Sequence, residues 1–152
     1  MHFFNSNTFS AFCFSSIPLC TDNNYKLTKE FKLNYQLNSI QEEILVGILL
    51  GDASLERGKS TYNTRLRIEQ SLESHKAYLY FLYSFFIDMT KTPPASPSRN
   101  PDKRTGKVYN SIKFQTLSFP CLNKFYELFY NNSIKIVPVN IAELLTARSL
   151  AF

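Results

Sequence analysis

The first dense apolar stretch along the chain is Ile44, Leu45, Val46, Ile48, Leu49 and Leu50. It follows Ser39-Ile40-Gln41-Glu42, whose spacing is that of a capping box. The pattern predicts a helix over residues 40–52, apolar on nearly every side and therefore buried. The period then changes to two. Tyr62, Thr64, Leu66, Ile68 and Gln70 alternate with Asn63, Arg65, Arg67 and Glu69, which predicts a strand with one buried and one polar face. A short strand over 54–57 and the turn Gly58-Lys59-Ser60 complete a hairpin with it. A helical period returns over 74–89, where Tyr78, Leu79, Leu82, Phe85, Phe86 and Met89 form a core stripe; His75 reads as a surface or capping residue.

Pro93, Pro94, Pro97 and Pro101 bar a long central strand in the next stretch. Arg104-Thr105-Gly106-Lys107 then offers a turn, and residues 108–117 alternate as a second polar-faced strand with Tyr109, Ser111, Lys113 and Gln115 on one side. A helix over about 120–131 follows. After the connector 133–138, Asn140-Ile141-Ala142-Glu143 has cap spacing and opens a last helix. The order from Ser39 is helix, two strands, helix, two strands, helix and the beginning of another, an α+β chain. Residues 1–34 read as an N-terminal extension outside the fold, expected to be disordered.

Two features of the first helix are costly as structure alone. The protein has four glycines, and Gly47 and Gly51 both fall inside this helix, each about 1 kcal/mol less favourable than Ala. Four residues apart, they share one face and form a groove into which another helix can pack closely. Asp52 ends the helix where the macrodipole is negative, which disfavours a carboxylate unless a cation lies beside it. A glycine-grooved buried helix that delivers a carboxylate to its own end reads as the holder of a metal ligand at a helix–helix seam.

Composition narrows the partners. The 17 Lys and Arg exceed the 12 Asp and Glu, giving a net charge of +5, a bias toward anions. Between Lys91 and Lys113 stand six basic residues and one acid, Asp102, beside two strands that present Arg, Lys, Asn and Gln, the side chains that pair with phosphates and base edges. Three cysteines at unpatterned spacing form no disulfide framework or zinc site, and two histidines give little basis for a histidine metal site or a Ser-His-Asp triad. No apolar run reaches the ~20 residues that span a bilayer, so no membrane partner is expected. Fourteen Phe and nine Tyr stand beside four Gly and no Trp, the usage of an AT-rich gene such as an organelle gene.

The segment Leu45-Val46-Gly47-Ile48-Leu49-Leu50-Gly51-Asp52-Ala53-Ser54 resembles the LAGLIDADG motif of the homing endonucleases, and the αββαββα order is similar to one half of that fold. Leu50 stands where the motif has an acid, and Ala53 where it ends in glycine. The resemblance implies a LAGLIDADG endonuclease domain over residues 35–142, with a four-stranded antiparallel saddle lying on double-stranded DNA. It also implies metal-dependent phosphodiester hydrolysis with Mg2+ or another divalent cation. It makes Asp52 the catalytic, metal-binding carboxylate, Gly47 and Gly51 the motif-helix interface, and Lys135 the basic residue near the attacking water. The DNA-binding surface then comprises Arg57, Lys59, Asn63, Arg65, Arg67, Glu69, Lys103, Arg104, Lys107, Lys113 and Gln115. The family's polar strand residue is left open between Arg67, which has the right face, and Gln70, which has the right chemistry.

Residues 143–152 resemble the lead-in to a second motif helix, cut short at Phe152 where relatives tend to place Trp. The chain is therefore expected to be an incomplete half, inactive alone and completed by a missing second LAGLIDADG half, with a homodimer as the alternative. A UGA codon read as Trp in a mitochondrial code is one expected cause of the stop. Mitochondrion is the expected location, chloroplast the alternative. The alternative functions are an RNA maturase that binds its own intron RNA, and an inactive remnant.

Overall fold

Asn38 caps the buried helix, one residue earlier than the sequence pattern predicts. In the computed structural model, which describes residues 28–152, helix α2 (Ser39–Leu50) follows helix α1 (Lys29–Asn34). The Gln41 backbone N–H donates to Asn38 Oδ1 at 2.8 Å, and the Asn38 N–H donates back to Gln41 Oε1 at 3.0 Å. This Asn38–Gln41 box replaces the expected Ser39–Glu42 box because Gln41 faces inward, where its Nε2 donates to Phe85 O (2.7 Å) and to the Tyr35 hydroxyl (3.2 Å). Glu42 turns outward to Lys124 at 2.5 Å. Ile44, Leu45, Val46, Ile48 and Leu49 are buried, so α2 is the central rod of the core.

The expected boundary of the fold near residue 34 is corrected by α1. Thr28 Oγ1 caps it by accepting from Phe31 N at 3.2 Å. Phe31 and Tyr35, one turn apart, stack against each other and on the buried Phe119, with ring centroids 5.2–6.3 Å apart. Aromatic packing of this kind is worth about 0.5–1.5 kcal/mol per pair beyond area burial, which fixes a six-residue helix too short to hold by itself. The remainder of the expected extension, residues 1–27, lies outside the described residues.

Strands β1 (Ser54–Glu56), β2 (Arg65–Ser71) and β3 (Ser111–Gln115) form one antiparallel sheet in the order β1-β2-β3. The register pairs Leu55 with Leu66 and Ile68 with Phe114 on the inner face, and Glu56 with Arg65, Arg67 with Gln115 and Glu69 with Lys113 on the outer. Four strands were expected. The fourth is reduced to one bridge, in which Ala95 and Lys113 exchange backbone hydrogen bonds of 2.9 and 3.0 Å. Pro93, Pro94 and Pro97 around it offer no N–H to extend the ladder.

Helix α3 (Leu72–Phe86) carries the predicted stripe, with Leu79, Leu82 and Phe86 buried, and Met89 buried in the 3-10 turn Ile87–Met89. His75 interrupts it with φ −122° and ψ 15°, and is exposed. Helix α4 (Asn123–Phe129) is shorter than predicted because Tyr130 leaves it to form a hairpin, β4 (Tyr130–Asn131) with β5 (Ile134–Lys135). Its two turn residues, Asn132 and Ser133, both have positive φ, 49° and 64°, as the tightest hairpin turns require.

The last helix is also corrected. Helix α5 (Ile141–Leu144) is a single turn without a side-chain cap, and the chain goes extended at Leu145. A new turn, Ser149–Ala151, begins after Thr146, whose Oγ1 accepts from Ser149 N (3.1 Å) while Ser149 Oγ accepts from Thr146 N (2.7 Å). Among the described residues no helix is long and apolar enough to cross a membrane.

Candidate catalytic site and nucleic-acid interface

Helix α2 ends at Leu50, and Gly51 turns the chain with its N–H on Ile48 O at 3.1 Å, leaving Asp52 exposed immediately beyond. Ala53 N also donates to Ile48 O, at 3.0 Å, and the Ala53 side chain is buried, so the backbone is held on both sides of Asp52. Lys135 closes this end. Its Nζ donates to Gly51 O at 2.9 Å and to Ala53 O at 2.8 Å. A cation on these carbonyls is what the negative end of a helix favours, and the β4–β5 hairpin, unforeseen in the sequence, delivers it. Burial pushes the Lys135 ammonium below its ordinary pKa, and the charge of Asp52 acts in the opposite direction.

Gln70 Nε2 donates to Asp52 Oδ2 at 2.8 Å. Gln70 pairs with Ile112 on the inner face of the sheet, so the parity that removes it from the outer surface is the parity that brings it to the helix end. Arg67, the other candidate for this role, lies on the opposite face. Asp52, Gln70, His75, Tyr78 and Phe152 line a small cavity of about 160 Å³. Desolvation raises the Tyr78 hydroxyl pKa, and the negative charge of Asp52 adds to it. Among the described residues no cluster of three or more His, Cys, Asp and Glu could hold a metal ion, and Asp52 is the one acidic side chain among the residues lining this cavity.

The two glycines differ. A Cβ on Gly47 would lie 2.1 Å from Ser149 O, so only glycine admits this crossing. A Cβ on Gly51 would meet nothing closer than Ile48 O at 3.7 Å. The chain after Leu145 therefore lies against the Gly47 face of α2. Thr146 Oγ1 and Arg148 Nη1 each donate to Glu43 Oε2 at 3.0 Å, and Tyr78 donates its hydroxyl to Phe152 O at 3.0 Å.

The outer sheet face is a chain of alternating charge. Arg65 and Arg67 both bond Glu56, and Arg67 also reaches Glu69. Arg99, from the proline-rich loop, donates to Glu69, as does Ser111 Oγ at 2.6 Å. The Ser111 hydroxyl and the two arginines hold the Glu69 carboxyl below its ordinary pKa against the opposing effect of burial. Desolvation works to raise Glu56, but the hydrogen bonds from Arg65 and Arg67 prevail and hold it low. Lys113 and Gln115 continue the face on β3. Arg99 and Ser111 were not among the predicted site residues, since their meeting with Glu69 is a long-range contact that no local pattern encodes.

Arg57 is the main departure from the predicted surface. Its side chain is 11% exposed, with Nε on Thr64 Oγ1 (3.1 Å), Nη2 on Asn123 O (3.4 Å) and the guanidinium 4.6 Å above the Tyr126 ring. It clamps the 57–64 loop to α4. Asn63 accepts from Asn123 Nδ2 at 3.1 Å, and Lys59 lies over Tyr62 at 5.6 Å; both stay exposed. Lys103, Arg104 and Lys107 stand on an exposed loop, and Lys107 lines a cleft with Arg99 and Ser111. Asp102 Oδ1 organises that loop by accepting from Arg104 N and Thr105 N at 2.9 Å each, and Gly106 supplies the φ of 68° that the turn needs.

The sequence profile described as the LAGLIDADG DNA endonuclease family matches residues 42–152. The chain is 30% identical over 127 residues to cytochrome b mRNA maturase bI2 of Debaryomyces hansenii, covering 83% of this chain and 48% of the maturase. It is 30% identical over 131 residues to probable intron-encoded endonuclease 1 of Wickerhamomyces canadensis (85% and 54% covered) and 32% over 124 residues to DNA endonuclease I-ChuI of Chlamydomonas applanata (76% and 56%). The chain thus spans about half the length of these curated relatives. The solved structure of the homing endonuclease I-WcaI bound to its DNA recognition sequence matches with a TM-score of 0.70 at 26% identity, over 90% of this chain and 56% of that one.

Proposed function

Because the chain belongs to the LAGLIDADG DNA endonuclease family, we propose that it is one half of an intron-encoded homing endonuclease that hydrolyses phosphodiester bonds at a specific site in double-stranded DNA. The observation that carries this reading is the end of α2. There Asp52 is exposed, oriented by Gln70 and backed by Lys135, beneath a sheet whose outer face presents Arg65, Lys113 and Gln115, with Arg67 held between Glu56 and Glu69.

In this reading Asp52 and Lys135 are the catalytic residues, and Gln70 is a positioning residue that fixes the Asp52 carboxylate. The donors suit a divalent cation such as Mg2+, which takes one or two carboxylates and completes its shell from phosphate and water. When bound, such a cation polarises the phosphoryl group and activates water. Lys135 fixes the backbone on both sides of Asp52 and places a positive charge where negative charge develops. The outer face supplies phosphate and base contacts in the major groove.

A second acid is needed for the other strand. The reciprocal Thr146–Ser149 cap and the packing of Ser149 on Gly47 support the reading of the chain after Thr146 as the start of a second motif helix, following an endonuclease domain over 35–142 on which α1 packs. They disfavour a homodimer, because a second copy of α2 reaches Gly47 only by displacing Ser149. The AT-rich residue usage and the intron-encoded relatives support an organelle origin, in the mitochondrion. The maturase relative supports a second reading, assistance to splicing of the host intron RNA.

The test is cleavage of a duplex that carries the intron-less junction, with Mg2+. The chain alone is expected to leave it uncut, and the chain joined to a second-motif half is expected to cut both strands. Asp52→Asn is expected to lower cutting by about two to three orders of magnitude and to preserve binding. Efficient double-strand cutting by the chain alone overturns the half-enzyme reading. Splicing help that survives Asp52→Asn, without cutting by the joined form, establishes the maturase instead.

A further inference from the structure

Two arginines stand side by side on the outer face of β2, and their partners differ. Arg65 donates from Nε and Nη2 to a single oxygen, Glu56 Oε2, at 2.9 and 2.7 Å. Arg67 lies between two carboxylates, with Nη1 on Glu56 Oε1 at 3.1 Å and Nη2 on Glu69 Oε2 at 2.9 Å. A guanidinium carries five N–H groups in one plane, and recognition of guanine takes two parallel ones from adjacent nitrogens, directed at O6 and N7.

Arg65, bonded side-on, keeps its Nη1 and the outer hydrogen of Nη2 for that purpose. It also lines an open cleft of about 610 Å³ with Lys32, Tyr62 and Asn63, which Arg67 does not. Arg67 has each terminal nitrogen committed to a different carboxylate, so its Nη1–Nη2 edge turns to a base only by breaking an ion pair. Glu56 is common to both contacts. It fixes the plane of the Arg65 fork before any ligand arrives, which spares the ordering of a long flexible side chain on binding.

We propose that Arg65 is the specificity-determining side chain of this part of the sheet, reading a guanine through its Nη1–Nη2 edge, with Glu56 as its positioning residue and Arg67 as a cross-link of the sheet. The assignment rests on the DNA-binding reading above and deepens it to one base edge.

Selection from a pool of randomised DNA duplexes, run with the full chain and with Arg65→Lys, Arg67→Lys and Glu56→Gln, tests it; circular dichroism and thermal melting establish that the variants share the fold, and Arg65→Met replaces any Arg65→Lys that does not. The wild-type chain is expected to enrich duplexes with guanine at one fixed position. Arg65→Lys keeps the charge and loses the fork, so discrimination at that position falls about tenfold or more, with an unchanged salt slope. Glu56→Gln relaxes the same position and leaves the others. Arg67→Lys retains it. Loss of the guanine in Arg67→Lys with retention in Arg65→Lys overturns the assignment, and an unchanged preference in Glu56→Gln overturns the positioning role. Enrichment by the wild type at positions that ignore Arg65 rejects the assignment alone. A wild-type chain that enriches no duplex rejects it together with the DNA-binding function.

Discussion

Gln70 holds Asp52 at 2.8 Å from the inner face of the sheet, so the carboxylate at the end of the motif helix is oriented by a strand whose alternate residues face the other way. The bond joins a local helix signal to a tertiary contact. In the form completed by a second-motif half, Asp52→Asn is expected to lower cleavage by about two to three orders of magnitude, the scale of losing one preorganised electrostatic group. Gln70→Ala is expected to weaken metal dependence or activity about 10- to 100-fold, as loss of a ligand-orienting partner does. Metal titration of cleavage separates the two, and thermal melting should show both folded, since Asp52 is exposed.

Lys135 links two strands to the helix end through two carbonyls. Lys135→Met leaves Gly51 O and Ala53 O without this donor and is expected to cost about 1–2 kcal/mol, read as a lower urea midpoint with an unchanged m-value. Lys135→Arg, which keeps a donor and its charge, is expected to recover part of the loss.

Gly47 and Gly51 make a matched pair. Gly47→Ala places a methyl 2.1 Å from Ser149 O. It is expected to detach the chain after Leu145, destabilising by about 1–3 kcal/mol as overpacking does and speeding amide exchange over residues 146–152. Gly51→Ala meets no such neighbour and is expected to change stability by less than about 1 kcal/mol. Equal effects at the two positions would contradict the crossing at Gly47.

The outer sheet face predicts the acid response. Glu56 and Glu69 have folded-state pKa values held below the ordinary carboxylate value. Their stabilisation is complete above that ordinary value of about 4.3 and is lost as pH falls through the depressed folded values. Urea denaturation across a pH series should show stability level above about pH 5 and declining below. Glu69→Gln should flatten the decline, because it removes one of the protons taken up on unfolding.

The central helix, the β2 alternation and the α3 stripe were legible because burial imposes a period on every residue of those segments. Asp52 and Lys135 are named in the sequence only by resemblance to the motif family, and their meeting at the end of α2 is a tertiary contact. The cap position slipped by one residue because Ser39 and Asn38 are both good caps, and only the tertiary bonds of Gln41 select between them. Helix α1 and the β4–β5 hairpin were missed for a related reason. The first is held by rings on Phe119, and the second turns on Asn132 and Ser133 without the glycine that marks such turns. Arg57 reads as a surface cation in any one-dimensional pattern; its aromatic and carbonyl partners lie 66 and more residues away. The polar strand role stays open between Arg67 and Gln70 in the sequence because parity favours one and chemistry the other, and only the tertiary structure shows that Asp52 emerges beneath the inner face, beside Gln70.

The ion chain from Arg65 through Glu56, Arg67 and Glu69 to Arg99 also bears on how such a surface changes its target. Each member shares a partner with the next, so substitutions along it are not independent, and neighbours of this kind couple by about 0.5–3 kcal/mol. A change at Glu56 alters two arginines at once, and a change at Glu69 alters the sheet and the proline-rich loop together. Retargeting of this face therefore proceeds through compensated sets of residues, and a library that varies one position at a time samples mostly the incompatible intermediates.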